Sequence, residues 1–368
     1  MNERNRIAVS IVTPLSVGKG NEGVWKPGVD YVYNRGKIFH LSLERMAASG
    51  MDVGQIAALL AASNEEGLLK LLGDKLERVS DLSMECPVKA PGDIRMMIRE
   101  GLSGKPYIPG SSLKGAIRSA LYGEWKGDAV GEREVFGQMK DGSDFMRFIQ
   151  VGDIVFDNTF LVNTKIYNLT GKPYSEDWTG GWKQQSLTSQ DFSPSGFNTL
   201  YECLLPGALA EGSIKIDETA FSHYTQPQPL EEKKKKIFDR SEGFTPIENL
   251  FDIINNHTYD FLEREHAFFT QYSQGEHSQR IIGNINALMN MVNDCFEAGD
   301  SCMLKMSAGA GFHSITGDWQ FPDHTQTNYY ETGVHTGKKK YKSRKIACYN
   351  GGFALMGFAK LTVKNEKL

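Results

Sequence analysis

Two cations and two serines at the start of a predicted helix are well suited to bind a negatively charged ligand. Lys114 and Arg118 lie four positions apart, and Ser111 and Ser112 precede them. Like charges at this spacing repel each other on a helix, so the pair is favoured where an anion lies nearby. Because the free N–H groups and the dipole of a helix N-terminus attract negative charge, the pattern indicates a phosphate site. The alternative is an ordinary surface helix that carries two cations.

The helix that must position these side chains is predicted from residue types and spacing. Pro109 and Gly110 end the preceding segment, and a serine directly after them is a preferred N-cap, since its hydroxyl accepts a bond from a free helix N–H. Apolar residues then recur on one face, at Leu113, Ile117, Ala120 and Leu121. The segment is not a Walker A loop, because no GK[ST] closes the glycine spacing.

Two glycine segments follow predicted strands. One follows a strand predicted at 6–12, and the other follows a strand predicted at 301–306. Glycine allows the backbone to approach a ligand closely, and successive N–H groups can form an anion site. Ordinary turns are the alternative for both. The candidate ligand contacts in these segments are Gly18, Lys19, Gly20, Gly309, Gly311 and His313, and Gly110 at the start of the predicted helix is a further candidate.

A basic cluster with an aromatic residue inside it lies near the C-terminus. Cations of this kind neutralise backbone phosphates, and a tyrosine can stack on a base. The net charge of −4 argues against general affinity for nucleic acid, so a contact requires a local patch. The cluster consists of Lys338, Lys339, Lys340, Tyr341, Lys342, Arg344 and Lys345.

Composition is that of a soluble globular protein, with 368 residues, 40% hydrophobic and 23% charged. The longest apolar run is too short to span a bilayer, and no signal peptide is visible, so we expect no membrane contact. The five scattered cysteines indicate free thiols in a reducing cytoplasm and no zinc site. A metal site is a minor possibility at His257 and His266, which lie near Glu263 and Glu265. The alternative is that these residues form a solvated polar face of a helix. We expect no cofactor.

Local patterns predict the order of elements. We expect a hairpin at 25–39, helices over 41–79 and 244–298, and a polar loop at 123–142. A buried strand is predicted at 148–156, with 159–167 as its antiparallel neighbour. A further hairpin is predicted at 200–205 and 212–217, turning at a Pro-Gly pair. Asp153 interrupts the predicted buried strand, so we expect it to bond to the helix that starts near residue 111.

The segment Ile-Pro-Gly-Ser-Ser-Leu-Lys-Gly-Ala-Ile-Arg at 108–118 resembles the signature of the RAMP superfamily, the repeat-associated RNA-binding proteins of CRISPR effector complexes. The segment around Gly309 is similar to the glycine-rich loop of that family. Pro-Gly-Val-Asp-Tyr at 27–31 is similar to the family's head-capping members in type III-A (Csm) complexes. In the family's first-strand loop a histidine often stands where this sequence has Ser16.

The resemblance implies an α+β fold with a ferredoxin-like (RRM-like) core. It implies an N-terminal domain at 1–225 with a helical insertion at about 41–100. Residues 226–368 would add a helical segment, the glycine-rich loop and a closing strand. A second, degenerate ferredoxin-like half that shares the same core is the alternative for this C-terminal segment.

The resemblance also implies a function. The chain would be a non-catalytic subunit that binds CRISPR RNA, caps the guide filament near the 3′ end and influences crRNA maturation. Its partners would be the crRNA, target RNA through the guide duplex, the backbone RAMP subunit and a small helical subunit, with host trimming nucleases as further candidates. The alternative is a RAMP endoribonuclease that processes precursor crRNA, which Ser16 disfavours because it removes a candidate acid–base group. A protein scaffold without RNA affinity is the third possibility.

Overall fold

The computed structural model describes residues 5–127, 131–171, 178–184, 188–193, 198–225, 232–240, 243–273, 275–309 and 343–364. Within these ranges the strands are β1 (Asn5–Ile11), β2 (Val24–Trp25), β3 (Tyr31–Asn34), β4 (Lys37–Leu41), β5 (Ser80–Glu85), β6 (Ile94–Arg95), β7 (Tyr107–Ile108), β8 (Ile149–Val151), β9 (Ile154–Val155), β10 (Thr159–Gly171), β11 (Trp178–Lys183), β12 (Thr188–Ser189), β13 (Asn198–Leu204), β14 (Leu209–Ile216), β15 (Ser301–Lys305), β16 (Ser343–Tyr349), β17 (Gly352–Ala354) and β18 (Phe358–Val363). The α-helices are α1 (Leu43–Ala48), α2 (Val53–Ala61), α3 (Glu65–Leu72), α4 (Leu76–Val79), α5 (Gly110–Trp125), α6 (Glu132–Phe136), α7 (Glu218–Thr225), α8 (Glu232–Arg240), α9 (Ile247–Tyr272) and α10 (Glu276–Ala298).

The described strands form a five-stranded sheet in the order β15-β18-β1-β14-β8, with every neighbouring pair antiparallel. Along the chain, β1, α5, β8, β14, α9 and β18 follow the β-α-β-β-α-β pattern of the ferredoxin-like fold. β15 extends this sheet at one edge. The predicted ferredoxin-like core is therefore confirmed.

The main hydrophobic core lies between this sheet and α5. Ile7, Val9 and Ile11 are buried and pack with Leu113 and Ile117 of α5. Alternate residues of a strand point to one face and residues four apart lie on one face of a helix, so these two patterns meet. The side of α5 that carries the apolar residues is therefore committed to the core.

A second sheet is built from the three long connections of the core. β2 and β6 come from the connection between β1 and α5, β10 to β13 from that between β8 and β14, and β16 and β17 from that between α9 and β18. β10 lies at its centre and pairs with β11, β13 and β16. Strands from both sides of position 225 share each sheet, and the division into domains at that position stays a prediction.

The insertion predicted at about 41–100 forms a small lobe in which α1 to α4 lie between β4 and β5. The preceding hairpin turns at Arg35 and Gly36, whose φ values of 47° and 89° are both positive. Two-residue hairpin turns favour such values because they match the twist of the strands. The predicted hairpin and the helices over 41–79 are confirmed.

The buried strand predicted at 148–156 is wrong as a single element. Gly152 and Asp153 separate β8, which pairs with β14, from β9, which pairs with β7. β10 pairs with neither of them and lies in the second sheet. The apolar run predicted the burial of Phe148, Ile149, Ile154 and Phe156 correctly, but Val155 is 40% exposed, and two different sheets provide the partners.

Two further predictions about pairing and loops are wrong. The strands predicted as a hairpin at 200–205 and 212–217 exist as β13 and β14, but they belong to different sheets. The polar loop predicted at 123–142 contains the end of α5 and the whole of α6. Val135 and Phe136 are buried in the main core, which provides the physical reason for α6.

Among the described helices, none is long and apolar enough to cross a membrane.

Candidate nucleic-acid interface

The N-terminus of α5 is capped by a carboxylate from another segment. Asp153 Oδ1 accepts a hydrogen bond from Gly110 N at 2.7 Å, as the sequence predicted for this residue. The predicted serine N-cap is wrong, because Pro109 holds that position and its carbonyl accepts bonds from the next turn. Ser111 is exposed in the first turn and Ser112 is half-buried. One N–H group of the predicted phosphate site is thus already bonded to a carboxylate.

Gly110 is buried where α5 crosses the segment between β8 and β9. A Cβ atom built on Gly110 would lie 2.3 Å from the carbonyl oxygen of Val151. Real Cβ atoms do not approach a backbone oxygen so closely, so only glycine fits this position without a shift. Packing therefore explains this glycine, which the sequence had indicated as an RNA contact.

We expect Gly110→Ala to lower the free energy of unfolding by about 1–3 kcal/mol, the range found for overpacked cores. The new methyl group would meet backbone atoms of Val151, which cannot rotate away as a side chain can. Urea unfolding monitored by far-UV circular dichroism measures the change.

Gly283→Ala is the matched control, because Gly283 lies inside α10 with no heavy atom within 4 Å of an added Cβ. This replacement should stabilise the chain by about 0.5–1 kcal/mol through helix propensity. An equal gain from Gly110→Ala would contradict the packing account.

Lys114 and Arg118 have different surroundings. The Arg118 guanidinium forms an ion pair with Glu132 of α6 and lies 4.7 Å from the centre of the Phe136 ring. Lys114 is half-buried; burial lowers its pKa, the nearby Asp144 carboxylate opposes this shift, and the charge of Arg118 adds to it. Of the two predicted phosphate contacts, Lys114 is therefore the better placed.

The two predicted glycine segments lie side by side. Ala308 N donates to Ser16 O at 2.8 Å, and Ser16 N donates to Ser307 Oγ at 3.2 Å. A Cβ atom added to Gly18 would lie 3.6 Å from the Cβ of Ala308. Gly18, Lys19 and Gly20 are exposed, whereas Gly309 is buried. The structure thus brings together residues that are 291 positions apart in the chain.

Backbone hydrogen bonds connect this pair of glycine segments to the start of α5. Ile98 N donates to Val17 O at 2.8 Å, and Tyr107 N donates to Ile98 O at 3.4 Å. Two residues after Tyr107, Pro109 begins the helix. We define the glycine cleft as residues 16–20 together with 307–309. Gly18, Gly309 and the helix that carries Lys114 therefore belong to one continuous part of the fold.

A buried glutamate that we did not identify in the sequence supports this region. Glu202 of β13 is fully buried and accepts hydrogen bonds from Met97 N at 2.9 Å, from Thr159 Oγ1 at 2.6 Å and from Arg99. Met97 in turn forms a β-bridge with Gly18. The sequence does contain a signal for Glu202, namely a charged residue inside the apolar run of β13, because a buried charge needs partners.

The described part of the C-terminal basic cluster is involved in internal contacts. Arg344 is buried, and its Nε donates to Glu265 Oε1 at 2.8 Å and Oε2 at 2.6 Å. Such a position does not suit the predicted phosphate contact. Lys345 is half-buried and donates to Tyr201 Oη at 2.7 Å. The remaining predicted contacts lie outside the described residues, namely Gly311, His313, Lys338, Lys339, Lys340, Tyr341 and Lys342.

The weak metal candidate does not assemble. His257 lies against Gly123 of α5, and burial together with the charges of neighbouring cations lowers the pKa of His257 to about 3. Glu265 is bonded to Arg344 instead. Among the residues that the structure describes, no three His, Cys, Asp or Glu side chains cluster as a metal site requires.

The family model of the RAMP superfamily matches residues 9–277. The chain belongs to the RAMP superfamily. This match includes the motif at the start of α5 and the first glycine segment, and it ends within α10. None of the curated proteins matches the chain.

Solved structures share the fold of this RAMP chain over its whole length. One is a chain from a cryo-EM structure of a Csm-crRNA-target RNA ternary complex in a type III-A CRISPR-Cas system, with a TM-score of 0.62 and 18% identity, covering 99% of this chain and 100% of that one. Another is T. onnurineus Csm5, with a TM-score of 0.57 and 16% identity, covering 96% and 99%. The RAMP fold predicted from the motifs is therefore confirmed.

Proposed function

We propose that this RAMP protein is a non-catalytic subunit of a type III-A effector complex that binds crRNA and caps the guide filament near the crRNA 3′ end. The full-length match to a chain of a Csm-crRNA-target RNA complex is the observation that carries the proposal. The likeness to Csm5 supports the choice of subunit. In this role the protein influences how far the guide is trimmed.

The glycine cleft supports recognition of the RNA backbone. Gly18 and Gly20 are exposed, so their main-chain atoms are open to a close approach, and Lys19 between them supplies a positive charge. A guide carries any spacer sequence, so its holder must contact phosphates and sugars rather than base edges. Lys114 adds a second cation at the start of α5.

The partners that follow from this role are the crRNA, target RNA through the guide duplex, the backbone RAMP subunit and the small helical subunit. Host nucleases that trim the guide are further candidates. Ser16 occupies the place where the family often has a histidine, and its side chain is buried. A buried hydroxyl at this position does not provide the exposed acid–base group that the endoribonuclease alternative needs.

The test is to incubate the purified chain with labelled repeat-containing RNA over a range of salt concentrations. We expect the RNA to be shifted and uncut, with log affinity falling linearly against log salt concentration, because phosphate contacts release counterions. Cut RNA would support the endoribonuclease instead, and RNA that is never shifted would support a protein scaffold.

Lys114→Met should reduce this salt slope by about 0.7, the value for one phosphate contact on a single strand. We prefer it to replacing Lys114 and Arg118 together, because loss of Arg118 leaves Glu132 without its ion pair. Lys70→Met is the control, since Lys70 is an exposed cation of the helical lobe, paired with Glu66 at 2.8 Å. Equal slopes for the two variants would exclude Lys114 as a contact.

A further inference from the structure

One face of the second sheet points away from α9, and we call it the outer face; it carries two cations on either side of a buried tyrosine. Register places Arg95 of β6 beside Tyr201 of β13, and Tyr201 beside Val162 of β10. Lys345 of β16 lies beside Ile166 of β10, on the same face, because Val162 and Ile166 are an even number of residues apart. We call Arg95, Tyr201 and Lys345 the outer strip.

The hydrogen bonds and ring contacts hold the outer strip in one geometry. Lys345 Nζ donates to Tyr201 Oη at 2.7 Å and lies 4.9 Å from the centre of the Tyr201 ring. Tyr201 is buried, at 2% exposure, so its ring serves as a support for the ammonium group. A buried aromatic side chain has a fixed rotamer, and it therefore positions the lysine at little further entropic cost on binding.

The positive charge of the outer strip is not neutralised within the described fold. Arg95 is exposed, and its side chain makes no hydrogen bond or ion pair with a described residue. The phenol that holds Lys345 is uncharged, so this contact leaves the lysine charge available. Two such cations on one face attract an anion in a chain whose net charge is −4.

The outer strip is continuous with the glycine cleft. A Cβ atom added to Gly309 would lie 2.8 Å from Met356 Cε and 3.4 Å from Tyr201 Cδ1, so the second glycine segment packs on the methionine and on the edge of the tyrosine ring. On the other side, Arg95 pairs with Val24, which directly follows the turn that begins at Gly20. A chain-like ligand that extends out of the cleft therefore comes next to Arg95 and Lys345.

We infer that the outer strip is a second contact for the RNA phosphates, with Arg95 and Lys345 as the phosphate-binding cations and Tyr201 as a positioning residue. RNA that leaves the glycine cleft contacts the head groups of Arg95 and Lys345, and it does not reach the centre of this face, because Val162, Tyr201 and Ala347 are buried. This inference rests on the proposed crRNA binding and adds the direction in which the RNA continues. An acidic surface of another subunit is the competing occupant that the experiment must exclude.

The experiment compares the wild-type chain with Arg95→Met, with Lys345→Met and with the double variant, using repeat-containing RNA. Each single replacement should reduce the salt slope by about 0.7, and the double variant should bind about tenfold more weakly near 0.15 M salt. Arg95→Lys keeps the charge and should retain the wild-type slope. Tyr201→Phe keeps the ring and removes only the Lys345 bond, so its loss of affinity should be smaller than that of Lys345→Met.

Hydroxyl-radical footprinting of the bound RNA provides the spatial readout. The double variant should lose protection at nucleotides different from those that Lys114→Met exposes, because the two sets of cations lie on different elements. Far-UV circular dichroism of each variant verifies the fold, and all three replaced side chains lie outside the buried ion pairs.

The outcomes separate this inference from the proposed function. If the wild-type chain does not bind RNA, the proposed function fails and the inference with it. If the wild-type chain binds and the double variant keeps the same slope and footprint, the outer strip is not an RNA contact, while the proposed function stands. Unchanged RNA binding combined with lost assembly of the other subunits would overturn the inference in favour of a protein interface.

Discussion

Replacing Glu202 with alanine is expected to lower the free energy of unfolding by about 3–5 kcal/mol, the range for breaking a buried ion pair from one side. Glu202 is fully buried and accepts bonds from Met97 N, Thr159 Oγ1 and Arg99. Without the carboxylate, the Met97 N–H and the Thr159 hydroxyl lose their buried acceptor, and Arg99, whose side chain is 29% exposed, loses its ion-pair partner. Urea unfolding measures the loss as a lower transition midpoint.

The same variant should alter the glycine cleft before the whole chain unfolds. Met97 donates its N–H to Glu202 and forms a bridge with Gly18. Amide hydrogen exchange at Met97 and at the adjacent Ile98 should therefore become faster in Glu202→Ala. Exchange at these amides that stays unchanged would show that Glu202 does not support the cleft.

Glu211→Ala is the matched control for Glu202→Ala. Glu211 lies on β14, the next strand along the chain, and its exposed carboxylate pairs with Arg6 at 3.1 Å and with Lys364. Exposed ion pairs contribute little to stability because water and salt screen them, so we expect little change from this replacement. A similar loss in both variants would mean that burial is not what makes Glu202 important.

Glu265→Ala is expected to have an effect of the same size, about 3–5 kcal/mol, at a different site. Arg344 Nε donates to both carboxylate oxygens of Glu265, and the guanidinium lies 3.9 Å from the centre of the Phe268 ring. Both side chains are buried, with 7% and 3% exposure for arginine and glutamate. Removal of the glutamate takes away the carboxylate that accepts both Nε bonds of a buried guanidinium, which is costly in a low-dielectric environment.

The double variant Glu265→Leu, Arg344→Met separates the charge from the packing. Apolar residues of similar volume often replace a buried ion pair with little loss, so the double variant should recover most of the stability. A cost for Glu265→Ala below about 1 kcal/mol, typical of an exposed pair, would contradict the buried-pair account. If the double variant keeps full RNA affinity, Arg344 acts in the fold and not at the interface.

The contrast between Arg344 and Lys345 shows why charge patterns in a sequence do not identify a surface. The two residues are adjacent on β16, so their side chains point to opposite faces of the second sheet. Arg344 meets Glu265 of α9, whereas Lys345 meets Tyr201 on the outer face. The sequence predicted one basic patch. Of its two described residues, β16 places Arg344 in the core and Lys345 on the outer face.

The motif at the start of α5 was informative for two separate reasons. Its apolar spacing predicted the helix correctly, because each of those positions lies on the face that packs against the sheet. Gly110, by contrast, is explained by its contacts with Val151 and Asp153, which lie in a segment about 40 residues further along the chain. Residue type indicated that Gly110 and Asp153 were special, but only the position of that segment shows why.

The sequence by itself determined α5 and the helices over 41–79 and 244–298, the hairpin at Arg35 and Gly36, the two glycine segments and membership of the RAMP superfamily. These features depend on residue spacing within a few turns or on short motifs, so a linear sequence contains them in full. The tertiary structure alone decided which strands pair, that Gly18 lies beside Gly309, and which charges are buried. Those properties depend on segments that are far apart in the chain and meet only when the core forms, so local spacing carries no signal for them.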